Sequence, residues 1–145
     1  MPAEHRFYDK GTFLIAVDRY HRGEMSGAFY HPVRRESGTF ASLIQLLLQM
    51  EQSMDQENLP QSFHAPRSFA PYRGFLWAGD ACRFISGREA TFVVNIRFRR
   101  NSSWQGEVFY QKDSRPRPFR SVLELIGLVD SLMEGRAAPP MELAE

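Results

Sequence analysis

The stretch TFVVNIRFRRNSSWQGEVFY, residues 91–110, has the pattern of a β-hairpin. Apolar side chains at Phe92, Val94 and Ile96 recur at every second residue, which is the period of a strand with one buried face. A polar turn, RNSSWQ, follows, and it is rich in residues that tolerate turn backbones. Gly106 then opens a second apolar run, EVFY, so we predict two antiparallel strands joined by a short polar connection.

An earlier stretch of the chain matches this one without a gap when Thr12 is aligned with Thr91. Identical residues occur at Thr12/Thr91, Phe13/Phe92, Gly27/Gly106, Phe40/Phe119, Ser42/Ser121, Leu46/Leu125 and Met54/Met133. Apolar character is kept at many other positions, and the turns and glycines coincide. We therefore predict an internal duplication, and residues superimposed by this alignment are called aligned positions below.

Each hairpin is followed by apolar residues at the i, i+3, i+4, i+7 spacing of an amphipathic helix. These residues are Phe40, Leu43, Ile44, Leu47, Met50 and Met54 in the first half, and Phe119, Val122, Leu123, Ile126, Val129 and Met133 in the second. Both helices begin with a capping box, Ser42 with Gln45 and Ser121 with Glu124. Gly135 is predicted to end the second helix.

These elements predict an α+β fold in which two pseudo-symmetric ββα repeats form an antiparallel sheet with both helices packed on one face. A hairpin with a single helix cannot bury its apolar face well, whereas two copies can. A face-to-face arrangement within a dimer is the alternative. The predicted organisation is a single domain, 1–145, with repeat 1 at about 12–55, a connecting segment at 56–90, repeat 2 at about 91–135 and a flexible tail at 136–145.

The connecting segment is long for a compact domain and has no strong period. Its stretch SFHAPRSF, residues 62–69, fits an extended crossover between the repeats, with a docking loop as the alternative. The stretch GFLWAGDACRFIS, residues 74–86, fits a hairpin that turns at Gly79 and Asp80, or a strand that pairs with a sheet edge.

No set of residues has the spacing of a catalytic, metal or cofactor site. A single cysteine, Cys82, excludes an intrachain disulfide and is predicted to be buried and inert. The chain has no phosphate-binding loop, dinucleotide fingerprint or G-x-S-x-G elbow. The histidines lack metal-binding spacing and are predicted to be surface or structural residues: His5, His21, His31 and His64. We predict no enzymatic activity, no metal and no cofactor.

Four helix carboxylates recur at aligned positions, Glu51 with Asp130 and Asp55 with Glu134. Because each helix needs a solvated face, these acids are expected to lie there rather than to form a catalytic pair.

The chain has a net charge of only +1, but its cations are sixteen arginines and two lysines. Arginine binds carboxylates and phosphates in a bidentate fashion and stacks on aromatic rings, so binding surfaces favour it. No apolar run approaches the length of a membrane span, and the start of the sequence, MPAEHRFYDK, has no apolar signal region. We therefore predict a cytoplasmic protein with no membrane association.

The motif NSSWQG, residues 101–106, fits the pattern N-x-S-x-x-G, and it resembles the second half of the cyclic-di-GMP site of PilZ domains. The resemblance implies nucleotide binding on a six-stranded barrel. The upstream R-x-x-x-R motif of that family is missing, because Arg97, Arg99 and Arg100 have a different spacing. Only one predicted strand and one helix follow the motif, which puts the barrel in doubt.

The longer pattern RFRRNSSWQG followed by FRSVLELIGLVDSLMEG is similar to a segment of a family of small uncharacterised bacterial proteins. This resemblance covers only the second repeat. It implies a bacterial protein in which the Trp-Gln-Gly turn and the following helix form one unit, and it implies no activity.

If the helices cover the Phe92 face, alternate residues point away from them. These are Val93, Asn95, Arg97 and Arg99 from the second repeat, and Leu14, Ala16, Asp18 and Tyr20 from the first. The candidate binding residues on this face and at the turns are Arg97, Arg99, Arg100, Trp104, Tyr20 and Arg22.

Arginine with tyrosine or tryptophan is typical of protein interfaces and of surfaces that bind single-stranded nucleic acid. We predict a non-enzymatic interaction module that binds a protein partner or itself through the outer sheet face and hairpin turns. The alternative is a regulatory protein that binds RNA or single-stranded DNA. Convergence of the arginines on Trp104 would favour nucleic acid, whereas pairing of the arginines with acidic residues would favour the interaction module.

Overall fold

The computed structural model describes residues 9–57, 85–113 and 115–137, which form a six-stranded antiparallel sheet with two helices, an α+β fold. The strands are β1 (Thr12–His21), β2 (Glu24–His31), β3 (Glu36–Phe40), β4 (Ala90–Phe98), β5 (Gln105–Tyr110) and β6 (Pro116–Phe119). The helices are α1 (Leu43–Glu57) and α2 (Val122–Ala137).

The strand order is β3-β2-β1-β4-β5-β6, so β1 and β4 pair at the centre of the sheet. Leu14 lies opposite Val93, and the flanking pairs are Phe13 with Val94 and Ile15 with Phe92. Replacing each residue by its aligned position in the other half gives the same set of pairs, since Phe13 with Val94 becomes Phe92 with Ile15. The two halves therefore meet through their first strands and extend outward from them in opposite directions.

Each half contains three strands, one more than the two that the sequence pattern predicts. The additional strands are the edge strands β3, with the sequence ESGTF, and β6, with the sequence PRPF. Each has one buried apolar residue, Phe40 or Phe119, and its other residues are more exposed. An edge strand with one apolar side chain has no alternation to detect, so only pairing with β2 or β5 reveals it.

Both helices pack against the same face of the sheet. Leu46 and Met50 of α1 and Leu125 and Val129 of α2 share one apolar core with the strand residues. The strands contribute Phe13, Ile15, Val17, Phe29, Phe92, Val94, Ile96 and Val108. The two amphipathic helices cover the apolar side chains on this face of the sheet.

The predicted capping boxes are confirmed. Ser42 Oγ accepts the backbone N–H of Gln45, and Ser121 Oγ accepts that of Glu124, both at 3.1 Å. The side chains of Gln45 and Glu124 reach back one residue further than the simplest capping box requires. They accept the N–H groups of Ala41 at 2.6 Å and Arg120 at 2.8 Å. Each helix start is therefore held by two side chains.

The prediction that Gly135 ends the second helix is wrong, because α2 continues to Ala137. A helix end at glycine requires a left-handed backbone there, and Gly135 instead keeps helical hydrogen bonding. The predicted crossover, residues 62–69, and all but the last two residues of the predicted hairpin, residues 74–86, lie outside the described residues. The predicted tail starts two residues too early, because 136–137 belong to α2, and residues 138–145 lie outside the described residues.

The two central strands each contain a β-bulge at aligned positions. The register shifts between Val17 and Arg19 in β1, and between Ile96 and Phe98 in β4. A bulge adds one residue to one strand only, so every side chain beyond it changes face.

A glycine lies opposite each bulge, Gly27 across from Val17 and Gly106 across from Ile96. A Cβ atom at Gly27 would overlap the carbonyl oxygen of Ala16, and one at Gly106 would overlap that of Asn95. The bulged backbone approaches its neighbour too closely for any side chain. The two glycines are therefore required by the sheet geometry.

We expect Gly106→Ala to lower the free energy of unfolding by about 2 kcal/mol or more, because backbone must move to admit the methyl group. The matched control is Gly127→Ala in α2, where a Cβ atom would meet nothing within 4 Å. That variant is expected to gain about 0.5–1 kcal/mol from helix propensity. Urea denaturation of both variants measures the difference, and equal midpoints would contradict the role assigned to Gly106.

Candidate functional site

Beyond its bulge, strand β1 turns Tyr20 toward the helices. The Tyr20 hydroxyl lies 2.6 Å from Asp130 Oδ1 and 2.8 Å from Glu134 Oε2, both on α2. A phenol has one proton to donate, so two carboxylates compete for it. The hydrogen bond to Asp130, together with desolvation, raises the pKa of Tyr20 well above its usual range. Tyr20 is thus held as a neutral donor to an acidic pair.

Strand β4 turns Arg99, which is aligned with Tyr20, toward α1. Its Nη1 lies 2.7 Å from Asp55 Oδ1 and 3.5 Å from Glu51 Oε2, and its side chain is only 3% exposed. Trp104 Nε1 donates a hydrogen bond of 2.7 Å to Glu51 Oε1. This acidic pair therefore has a cation and an indole N–H as partners, where the other pair has a phenol.

The two clusters connect the halves of the molecule crosswise. Tyr20 extends from β1 to α2, whereas Arg99 extends from β4 to α1. The helix carboxylates were expected only to solvate their helices, but each pair holds the end of a central strand from the other half. The sequence signal for this role was the repetition of the acids at aligned positions.

The prediction that Tyr20 and Arg99 point away from the helices is wrong. Strict alternation from Phe13 or Phe92 places both on the outer face, and one inserted residue in each strand reverses that assignment. Trp104, predicted to lie at an exposed turn, is also buried on the helix side, with 4% of its surface exposed.

The opposite face of the sheet is shielded from solvent at its centre, which corrects the expectation of an open partner-binding surface there. Leu14 and Val93 are fully buried, and Ala16 and Asn95 are 1% exposed. Asn95 Oδ1 also accepts a hydrogen bond of 2.7 Å from the Thr12 hydroxyl. The centre of the sheet is therefore buried on both faces rather than open to solvent on one.

The other predicted binding residues have different environments. Arg97 Nε lies 2.8 Å from Glu107 Oε1, and both side chains are less than a fifth exposed. The Arg100 guanidinium lies over the Phe98 ring, 5.0 Å from its centroid. Arg22 is exposed in the β1–β2 turn with a left-handed backbone, φ 51°. Of these three arginines, Arg97 is paired with an acidic residue.

The NSSWQG motif has a structural role at each of its fixed positions. Asn101 takes a left-handed turn backbone, φ 54°. The hydroxyl of Ser103 accepts the N–H of Val122 at 3.0 Å, at the start of α2, and Gly106 faces the bulge. The described strands form an open sheet rather than the barrel that the PilZ resemblance implies.

His31 is a buried structural residue, 1% exposed. Its Nδ1 accepts the Arg34 N–H at 3.0 Å, so its Nε2 carries the proton and donates to the Lys10 carbonyl oxygen at 3.0 Å. Burial lowers the pKa of His31 below that of a free histidine. His21 is exposed, while His5, His64, Asp80 and Cys82 lie outside the described residues.

An open cleft of about 430 Å³ lies at the end of the β1–β2 hairpin. It is lined by Arg19, Tyr20, His21, Glu24, Met25, Ser26, Ala41 and Glu89. In the second half the position of Met25 is taken by the buried Trp104. Charges of both signs line the cleft, so it lacks the concentrated charge that a phosphate or a metal ion requires.

Three exposed apolar side chains on the helices form the surface feature that sequence reasoning missed. Ile44 is 63% exposed, Leu48 64% and Leu123 76%, and together they are called the helix patch. The helical pattern grouped Ile44 and Leu123 with the buried stripe. The buried residues are instead Leu46 and Leu125. Ile44 and Leu123 each lie two positions earlier, about 200° around the helix, and therefore point away from the core.

Comparisons of the chain with protein-family models, with curated proteins and with solved structures find no match. Neither α1 nor α2 is long and apolar enough to cross a membrane. Within the described ranges, no three His, Cys, Asp or Glu side chains are grouped so that they could hold a metal ion.

We expect Tyr20→Arg to raise the free energy of unfolding by about 0.5–1 kcal/mol, because a guanidinium would give Asp130 and Glu134 the cation that Arg99 gives the other pair. His21→Arg adds the same charge at the next residue, which is exposed, and serves as the control. Urea denaturation at low and high salt measures the gain, which salt should reduce. An equal gain in both variants would show that only net charge matters.

We expect stability to fall as the pH drops below about 6.5, because the unfolded chain then binds a proton at His31 that the folded chain resists. The pKa of His31 is lower in the folded chain than in the unfolded chain. The free energy of unfolding is therefore highest above the unfolded pKa and declines as the pH falls. His31→Asn should flatten this decline below about pH 6.5, whereas His21→Asn should not. Parallel pH profiles for wild type and His31→Asn would contradict the expectation.

Proposed function

We propose that this protein is a non-enzymatic protein-binding module whose contact surface is the helix patch. The observation that carries the proposal is the exposure of Ile44, Leu48 and Leu123, each more than 60% exposed. The proposal keeps the class of function expected from the sequence and moves its surface from the sheet and turns to the helices.

The physical support is the free energy available from covering this patch. Burying one exposed leucine or isoleucine completely contributes about 1.5–3 kcal/mol, and Ile44 and Leu48 lie one helical turn apart on α1. Leu47 and Ile126 are half-buried and line a small apolar cavity between the two helices. A partner that contacts the patch would meet apolar side chains from both helices.

The nucleic-acid alternative has less support. Each neutralised phosphate needs its own cation, but Arg97 and Arg99 are already paired with carboxylates. Base stacking needs an accessible aromatic face, and the Trp104 ring is buried.

We infer that the two halves are copies of one unit with three strands and a helix. The inference is supported by features that recur at aligned positions: the central register, the bulges, the opposing glycines and the capped helix starts. Ile44 and Leu123 are also aligned, so the helix patch would combine corresponding residues from both copies.

The test is a double variant, Ile44→Ser with Leu123→Ser, and the control is Val33→Ser. Val33 lies between β2 and β3 and is also exposed, at 40%. A partner identified by crosslinking in lysate is purified, and its affinity is measured by calorimetry. We expect the double variant to bind at least about tenfold more weakly, and Val33→Ser to bind within about twofold of wild type.

An unchanged dissociation constant in the double variant would overturn the helix patch as the contact surface. Because both residues are exposed, their replacement should leave the urea midpoint unchanged, which excludes unfolding as the cause of weaker binding. Copurifying RNA or DNA, released by Arg22→Ala or Arg100→Ala, would favour the nucleic-acid alternative instead.

A further inference from the structure

The two edges of the sheet differ in their backbone hydrogen-bonding groups. The edge strand β6 contains Pro116 and Pro118, and the edge strand β3 has Ser37 and Thr39 at the aligned positions. Proline has no N–H group, so β6 offers no donor at these two positions. No strand lies beyond either edge in the part of the chain that the structure describes.

The register of the two edges shows which groups of β3 point outward. The β2–β3 and β5–β6 ladders have the same register at aligned positions: Gly27 pairs with Phe40, and Gly106 pairs with Phe119. Along an edge strand, the backbone N–H and C=O groups of alternate residues point toward the neighbouring strand, and those of the residues between point away from the sheet. Prolines cannot donate inward, so positions 116 and 118 face outward, and Ser37 and Thr39 face outward in β3.

Strand β3 is short, which limits edge-to-edge pairing, but it lacks three other devices that usually prevent it. It has no proline, no lysine and no bulge, and its middle residues Ser37, Gly38 and Thr39 are small. The outward carbonyl of Thr39 accepts one hydrogen bond, from Gln49 Nε2 at 2.9 Å. A carbonyl oxygen has two lone pairs, so it can accept a second.

We propose that a second copy of this chain pairs with β3, so that two sheets join as one twelve-stranded antiparallel sheet about a two-fold axis at Gly38. Ser37 would exchange two backbone hydrogen bonds with Thr39 of the second copy. By symmetry, Thr39 would exchange two with Ser37 of the second copy. Pairing through one open edge closes at two copies, because the proline-containing edge cannot extend the sheet.

Neighbouring registers fit less well. A pairing moved toward the start of β3 would need the N–H of Arg35, which already donates to the His31 carbonyl at 2.7 Å. A pairing moved toward its end would need the N–H of Ala41, which donates to Gln45. In the register at Gly38, Glu36 faces Phe40 of the second copy, so like charges are not opposed.

This inference is independent of the helix patch, because it rests on strand β3 and on backbone groups. The test is sedimentation equilibrium of the full chain, with Thr39→Pro as the variant and Thr39→Val as the control that keeps the N–H. Wild type and Thr39→Val should sediment at about 33.6 kDa, twice the chain mass of 16.8 kDa. Thr39→Pro should sediment at 16.8 kDa with an unchanged circular dichroism spectrum.

Amide hydrogen exchange on the wild type provides a readout without mutation. The N–H groups of Ser37 and Thr39 should gain protection as the protein concentration rises. A wild type that stays monomeric, or a folded Thr39→Pro that stays dimeric, would overturn the proposal. If Thr39→Pro fails to fold, Ser37→Pro and hydrogen exchange on the wild type test the pairing instead. A dimer in which the Ser37 and Thr39 amides stay unprotected would also overturn the proposal.

Discussion

The β-bulge in each central strand is the constraint on which the rest of the structure depends. One inserted residue in β1 and one in β4 turn the strand ends toward the helices, which brings Tyr20 and Arg99 to the helix carboxylates. The same insertions bring the backbone against Gly27 and Gly106, where no side chain fits. The crosswise contacts and the required glycines thus share one cause.

The two crosswise contacts use the same backbone geometry with different chemistry. Arg99 and the indole of Trp104 supply a charge and several donors to Glu51 and Asp55, and the aromatic ring fills the space beside them. Tyr20 supplies one proton to two carboxylates, and an open cleft next to it is lined by Met25, which is aligned with Trp104. The halves therefore share a fold but differ in local electrostatics and packing.

The polar and aromatic residues that resemble a binding surface in the sequence are largely used inside the fold. With Arg97, Arg99 and Trp104 engaged, the two proposed contact surfaces use apolar positions on the helices and backbone groups on β3. Neither depends on side-chain charge, which agrees with a net charge close to zero. A module of this kind would recognise partners by apolar area and strand pairing.

Sequence periodicity alone determined the antiparallel hairpins, the two helices and their serine caps, because these features depend on residues close together in the chain. Only the tertiary structure decided the edge strands β3 and β6, whose pairing partners define them, and the faces of Tyr20 and Arg99. The period-two pattern gives no sign of an inserted residue, so the predicted face of every side chain beyond a bulge is reversed. The exposure of Ile44 and Leu123 was likewise decided by which side of each helix meets the sheet.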